Sequence, residues 1–257
     1  MLIGLLGTVS VTVDGTARDI RAAKTRALLA VLALDPGRPV SYDELADELW
    51  SDRGLGNPRN ALQAQATRLR KVLGDGEIEL AAVPNGYLLR LPSGEVDATR
   101  FLDLASRGAA MVDTVPERAV EVLTEALSLW RGPALLDAGD GLRCRGAATL
   151  FEERRLSLWE DLAAARLAVG DVATAVADLG RLVAQNPLRE SFCELLMVAL
   201  YRCGRQSDAL SAFHRIRNRL DVELGVQPGA RLRRCHEDIL AQDPVLAGPH
   251  RVVAASR

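Results

Sequence analysis

The stretch Asn57-Pro58-Arg59-Asn60-Ala61-Leu62-Gln63-Ala64-Gln65-Ala66-Thr67-Arg68-Leu69-Arg70-Lys71-Val72-Leu73-Gly74 decides the reading of this chain. Asn57 followed by Pro58 suits an N-cap with proline at the first helical position, and Gly74 suits a C-terminal stop, so a helix is predicted over 58–73. At 100° per residue Leu62, Ala66, Leu69 and Leu73 fall within about 60° of each other and form one buried stripe. Geometry then fixes the opposite face: Asn60, Ala64, Thr67 and Lys71, flanked by Gln63 and Arg70 on one side and Arg68 on the other. Between residues 57 and 71 there are four basic side chains, Arg59, Arg68, Arg70 and Lys71, and no acid.

Working outward, Ser41-Tyr42-Asp43-Glu44 reads as a capping box that opens a preceding helix carrying Leu45, Leu49 and Trp50 on one face. The loop Ser51 to Gly56 joins the two helices. Before them lie a period-two strand Val9–Val13, an Asp14-Gly15 hairpin signal, a second strand ending near Ile20, and a helix from Ala22 to Leu34 stopped by Asp35-Pro36-Gly37. After them Ile78-Glu79-Leu80 and Tyr87 to Leu91 read as strands around the turn Pro84-Asn85-Gly86. Sheet, three helices and hairpin are the order of a winged helix-turn-helix domain. Acids crowd the helix upstream (Asp43, Glu44, Asp47, Glu48, Asp52), so a formal net charge of −2 conceals local segregation.

Pro92-Ser93-Gly94 reads as a linker, giving a winged-helix domain over 1–94. Beyond it the pattern is helical. Gly170, Ala175, Val176, Leu179 and Leu182 recur as Gly204, Ala209, Leu210, Phe213 and Ile216, each 34 residues on, which is the period of tetratricopeptide-type helix hairpins. Ala119, Val120, Leu123 and Ala126 repeat the spacing once more, with an insertion around Gly132 to Gly146 breaking the period. The expected fold is therefore mainly α: a small α+β winged helix-turn-helix domain, an all-α tetratricopeptide-like domain over 95–242, and a loose tail over 243–257.

Several function classes drop out. The longest apolar run, Ala27 to Leu34, is eight residues, against the roughly 20 needed to span a bilayer. The amino terminus lacks the features of a secretory signal, so no membrane association and a cytoplasmic location are expected. Cys144, Cys193, Cys203 and Cys235 show no closely spaced ligand pair, which favours idle thiols over zinc. Only Lys24 and Lys71 of the 32 basic residues are lysines, a bias of GC-rich coding, and neither sits in a phosphate loop. No dinucleotide fingerprint and no nucleophile elbow is present, so neither an enzyme nor a cofactor is expected.

Read as chemistry, 58–73 is a recognition helix for the major groove. Arg59, Asn60, Arg70 and Lys71 suit phosphates; Gln63 can pair with adenine, Arg68 with guanine, Thr67 with either kind of edge, and Ala64 can pack on a thymine methyl. Taken alone the helix could equally be a solvated amphipathic one; the capped helix before it and the hairpin after it favour recognition. Tyr87 is either a wing contact or, preferably, a core anchor for the hairpin, and Arg90 is as readily solvated as phosphate-bound. Arg202, Arg205, Arg215, Arg217 and Arg219 read as charge-balanced surface. The alternative function is a tetratricopeptide-like interaction or ligand-sensing regulator.

Arg59 to Gln63, Arg68 to Gly74, Asn85 to Leu89 and Val96 to Phe101 resemble the Streptomyces antibiotic regulatory protein family. Ala126 to Leu135, Glu153 to Leu156 and Leu200 to Arg205 are similar to its bacterial transcriptional activation domain. The resemblance spans residues 2 to 242. It implies a pathway-specific activator whose OmpR-like domain binds direct repeats in double-stranded promoter DNA, with a head-to-tail homodimer on that DNA. RNA polymerase would be recruited through its sigma subunit, its alpha C-terminal domain and other surfaces, with Ser51, Asp52, Arg53 and Leu55 facing sigma. The sequence departs from the family at Gln65, where such helices often carry a larger aromatic or imidazole side chain, and at Ala64 and Ala66. ATP-driven control and aspartyl phosphorylation within the chain are not expected.

Overall fold

The computed structural model describes residues 2–13, 15–50, 57–74, 77–92 and 94–247. The chain packs as two compact units, one formed by Met1–Leu104 with Glu125–Arg155 and the other by Ala105–Thr124 with Leu156–Arg257.

In the first unit β1 (Leu2–Gly4), β2 (Ser10–Val13) and β3 (Thr16–Arg18) form an antiparallel sheet in chain order. Gly15 turns the β2–β3 hairpin at a φ of +76°, a conformation a side chain would strain. Helix α1 (Ala23–Leu34) follows, buried from Ala27 to Ala33. Two residues unread as a strand, Val40–Ser41, form β4 and pair with Tyr87 and Gly86. Helices α2 (Tyr42–Trp50) and α3 (Pro58–Leu73) come next, then the hairpin β5 (Glu79–Val83) and β6 (Gly86–Arg90), giving a second sheet ordered β4-β6-β5.

The sequence insertion around 132–146 has a structural cause: it belongs to this first unit. Helices α4 (Asp97–Met111), α5 (Pro116–Ser128) and α6 (Leu142–Ala168) carry the chain between the units. The segment joining α5 to α6 runs along the β1–β2 connection, where Arg131 N donates to Leu6 O at 2.8 Å and Leu135 N to Leu5 O at 2.8 Å. Val9 N donates to Asp137 Oδ1 at 2.7 Å, and Arg26 pairs with the same carboxylate at 2.8 Å. Residues that satisfy the backbone groups of the β1–β2 connection cannot also keep a helix-hairpin period.

The second unit contains α7 (Val172–Gln185), α8 (Glu190–Arg202), α9 (Gln206–Leu224) and α10 (Ala230–Ala241). Gly170 and Gly204, 34 positions apart, both take positive φ at the turns before α7 and α9. Ala175, Leu179 and Leu182 on α7 and Ala209, Phe213 and Ile216 on α9 are buried, as the repeat requires. Helix α8 packs on α7, α9 and α10. The loose tail expected from Asp243 does not hold for its first residues: Pro244–Ala247 form a short 3-10 turn, Leu246 is buried, and its carbonyl accepts from Arg202 Nε at 2.8 Å. Residues 248–257 lie outside the described ones.

Candidate nucleic-acid interface

Both ends of α3 are closed by the residues the sequence nominates. Asn57 Oδ1 accepts from Asn60 N at 3.2 Å, and Gly74, at a φ of +69°, donates its N–H to Arg70 O at 2.9 Å. The stripe Leu62, Ala66, Leu69 and Leu73 is buried. Arg59, Asn60, Gln63, Ala64, Thr67, Arg68, Arg70 and Lys71 are all exposed, so the charge segregation is carried by one surface. On α2 the exposed side chains are instead Asp43, Glu44 and Asp47. The intervening Ser51, Asp52, Arg53 and Leu55, expected to face polymerase, lie outside the described residues.

The candidate residues differ in how they are held. Thr67 Oγ1 donates to Gln63 O one turn back at 2.9 Å, so its proton is committed to the helix and its lone pairs and methyl are left for the surface. Arg59 stacks its guanidinium 5.4 Å from the centre of the Tyr42 ring. Arg70 is turned to the hairpin: its Nε donates to Leu80 O at 3.1 Å and its guanidinium lies 5.7 Å from the Tyr87 ring centre. Tyr42 and Tyr87 meet edge to face at 5.5 Å. Two arginines eleven positions apart on α3 thus bracket a tyrosine pair drawn from α2 and β6.

Tyr87 is 4% exposed, and burial raises its phenol above the ordinary value. Of the two roles open to it, the structure builds the core anchor and not the wing contact. Arg90 ends β6 far from the Pro84-Asn85 turn and pairs across the strands with Glu79 at 3.0 Å, both exposed. The hairpin tip is instead formed by Pro84 and Asn85, which the sequence supplies only as turn formers. Gly86 has a packing reason: a Cβ there would stand 1.9 Å from Val40 O.

The residues that support this face were not nominated as site residues. Tyr42 backs Arg59, and Gln65, 9% exposed, accepts from buried Thr25 Oγ1 at 2.8 Å and from Arg68 Nη1 at 3.3 Å. The available signal was an amide set beside an apolar stripe. Lys24 Nζ donates to Leu49 O and so caps the end of α2. Elsewhere burial pushes the thiols of Cys144, Cys193 and Cys235 up to about 12, which leaves them protonated and unreactive, while Cys203 is exposed. Among the described residues no group of three or more His, Cys, Asp or Glu could hold a metal ion, and no helix is long and apolar enough to cross a membrane.

A capped helix with one cationic face, preceded by a short helix and followed by a β-hairpin wing, defines a winged helix-turn-helix regulator, here continued by tetratricopeptide-like helices. Comparison with known proteins gives the family. A model described as "Transcriptional regulatory protein, C terminal" matches residues 20–89, and one described as "Bacterial transcriptional activator domain" matches 96–240. The chain is 56% identical over 254 residues to transcriptional regulator RedD of Streptomyces coelicolor, covering 96% of this chain and 72% of that protein. It is 33% identical over 268 residues to regulatory protein DnrI of Streptomyces peucetius, covering 100% of this chain and 98% of that protein. The solved structure of Mycobacterium tuberculosis EmbR, in complex with a low-affinity phosphopeptide, superposes with a TM-score of 0.90 at 35% identity, over 95% of this chain and 65% of that one. The chain belongs to the Streptomyces antibiotic regulatory protein family and is a transcriptional regulator.

Proposed function

We propose that the chain activates transcription of a secondary-metabolite gene cluster by binding direct repeats near the promoter and recruiting RNA polymerase. The observation that carries this reading is the exposed face of α3. Sixteen residues at 1.5 Å each give a cylinder about 24 Å long that a major groove about 12 Å wide admits. Its exposed side presents Arg59, Arg68, Arg70 and Lys71 with no acid among the helix's own residues. Gln63, Ala64, Thr67 and Arg68 would meet base edges, and Arg59, Asn60 and Lys71 the phosphates. Arg70 would join them on the phosphates, with its Nε also tying the helix to β5 of the wing.

Direct repeats set two copies of the chain in the same orientation, so the dimer on DNA is head to tail and its contact surfaces differ on the two protomers. Polymerase would be met through its sigma subunit and alpha C-terminal domain, with Ser51, Asp52, Arg53 and Leu55 toward sigma, on the nucleoid in the cytoplasm.

The test is footprinting of the full chain on duplexes covering the promoters beside its own gene, followed by transcription from the protected promoter with purified polymerase holoenzyme. Two protected segments of the same orientation, one or more whole helical turns apart, and increased transcript are expected. Absence of protection, or protection without any change in transcript, would overturn the proposal.

A further inference from the structure

We infer that Gln65 is a specificity-positioning residue, which aims the Arg68 guanidinium at one base pair, and that Thr25 fixes Gln65 for that task. This rests on the major-groove reading of α3.

Gln65 Oε1 accepts two hydrogen bonds, from Thr25 Oγ1 on α1 at 2.8 Å and from Arg68 Nη1 on the next turn of α3 at 3.3 Å. Thr25 is 1% exposed and Gln65 9%, whereas Arg68 is exposed. The amide therefore connects the interior to the surface. Its carbonyl is held by the hydroxyl of Thr25, which is buried on α1 where that helix packs on α3. An exposed arginine otherwise samples many rotamers, and ordering it on binding costs free energy. With Nη1 turned to Gln65, the Nε and Nη2 hydrogens form the fork directed away from it. Such a fork matches the O6 and N7 acceptors of guanine. The other surface candidates on this face, Gln63, Thr67 and Lys71, have no comparable link to a buried side chain among the hydrogen bonds of the described residues.

Gln65 could instead serve only to close the packing between α1 and α3. The two roles separate on variants. Gln65→Leu removes the acceptor and leaves the buried Thr25 hydroxyl unpaired, which also weakens the fold. Thr25→Val with Gln65→Leu removes both partners and restores an apolar contact, yet still gives Arg68 nothing to lean on. Gln65→Glu keeps an acceptor.

The full-length chain and each variant are incubated with a pool of duplexes carrying a randomised central segment, and the retained duplexes are sequenced. Arg68→Ala marks the base position that Arg68 reads. Gln65→Leu and the Thr25→Val/Gln65→Leu pair are expected to flatten that same position, by on the order of tenfold in base preference, and to leave the other positions alone. Gln65→Glu is expected to keep it, and in the uncharged variants retention of a non-specific duplex and its salt dependence should not change. Restoration of the preference in the Thr25→Val/Gln65→Leu pair would overturn the inference in favour of packing. Flattening at positions other than that of Arg68, or an Arg68→Ala motif identical to the wild type, would overturn it as well. If the wild-type chain enriches no motif or retains no duplex, the major-groove reading has failed, and the inference falls with it.

Discussion

Arg131 sets its Nη2 3.0 Å from the carboxylate of Asp97, a side chain only 3% exposed whose oxygens also accept the N–H groups of Leu5 at 2.6 Å and Leu6 at 3.2 Å. Arg131 further reaches Ser10 Oγ at 3.0 Å, so one guanidinium ties β2, the β1–β2 connection and the start of α4 together. A buried carboxylate deprived of its counter-charge is costly, and an amide in its place would turn a donor toward backbone donors. Arg131→Ala is expected to destabilise the first unit by about 2 kcal/mol and Asp97→Asn by about 3 kcal/mol, with the double variant far from additive. A fragment ending at Gly94 loses both residues and should show no cooperative unfolding transition. Chemical denaturation of the four full-length proteins, with the fragment alongside, checks this; a fragment as stable as the full chain would contradict it.

Within the proposed interface, Arg68 and Lys71 are expected to fail in different ways. Arg68→Ala should weaken binding to the footprinted site by about 1–3 kcal/mol while changing binding to unrelated duplexes much less. Lys71→Ala should weaken both nearly equally and lower the slope of log K against log salt by about one phosphate contact. Gel-shift titrations at several salt concentrations separate the two patterns, and unchanged binding in both variants would remove α3 from the interface.

The wing depends on a glycine for reasons of space. Gly86 pairs with both Ser41 and Val83, and a methyl at its Cα would meet the Val40 carbonyl at 1.9 Å. Backbone must shift to admit it, so Gly86→Ala is expected to cost about 3 kcal/mol and detach β4 from β6. Hydrogen exchange should then report faster exchange of the β6 amides and of Tyr42 N, which donates to Asn85 O at 3.0 Å. A variant with native exchange at these positions would mean that the hairpin absorbs the methyl.

What the sequence made legible follows the range of the interactions. The ends of α3 and the Ser41–Glu44 box are readable because each is made by residues within a turn of one another, and the glycines 34 apart because the repeat period marks them. Likewise the exposed face of α3 follows from helical period alone. Strand β4 was not readable, since Val40 and Ser41 have no period and exist as a strand only because β6 comes to them. The linker at 92–94 marks a change of composition, yet packing continues across it through Asp97 and returns with 125–155, joined by hydrogen bonds more than ninety positions long. The supporting roles of Gln65 and Tyr42 are illegible for the same reason: their partners, Thr25 and Tyr87, are forty or more positions away.

The capping box of α2 offers a pH-dependent test of how firmly the wing is seated. Glu44 Oε2 accepts from Ser41 N at 2.9 Å and from Ser41 Oγ at 2.8 Å, while Glu44 N donates back to Ser41 Oγ at 3.2 Å. The backbone and then the hydroxyl hydrogen bond hold the Glu44 carboxyl below its ordinary 4.5, with smaller help from Arg143 and Arg38. A carboxyl depressed in the folded state binds fewer protons there than when unfolded. Its contribution to stability is therefore complete above 4.5 and disappears as the pH falls through the lowered value. Glu44→Gln should accordingly be less stable than the wild type at pH 7, with the gap closing below pH 4.5. Ser41→Ala should lose about 1 kcal/mol at pH 7 and keep part of that loss in acid, because the bond from Glu44 N to the hydroxyl does not titrate. Ser41 is also the last residue of β4, opposite Gly86, so both substitutions should speed exchange at the wing before they unfold the unit. Denaturant titrations at pH 7 and pH 3.5 are the measurement. A Glu44→Gln deficit that stays constant between them would show that the carboxylate contributes through shape and not through charge.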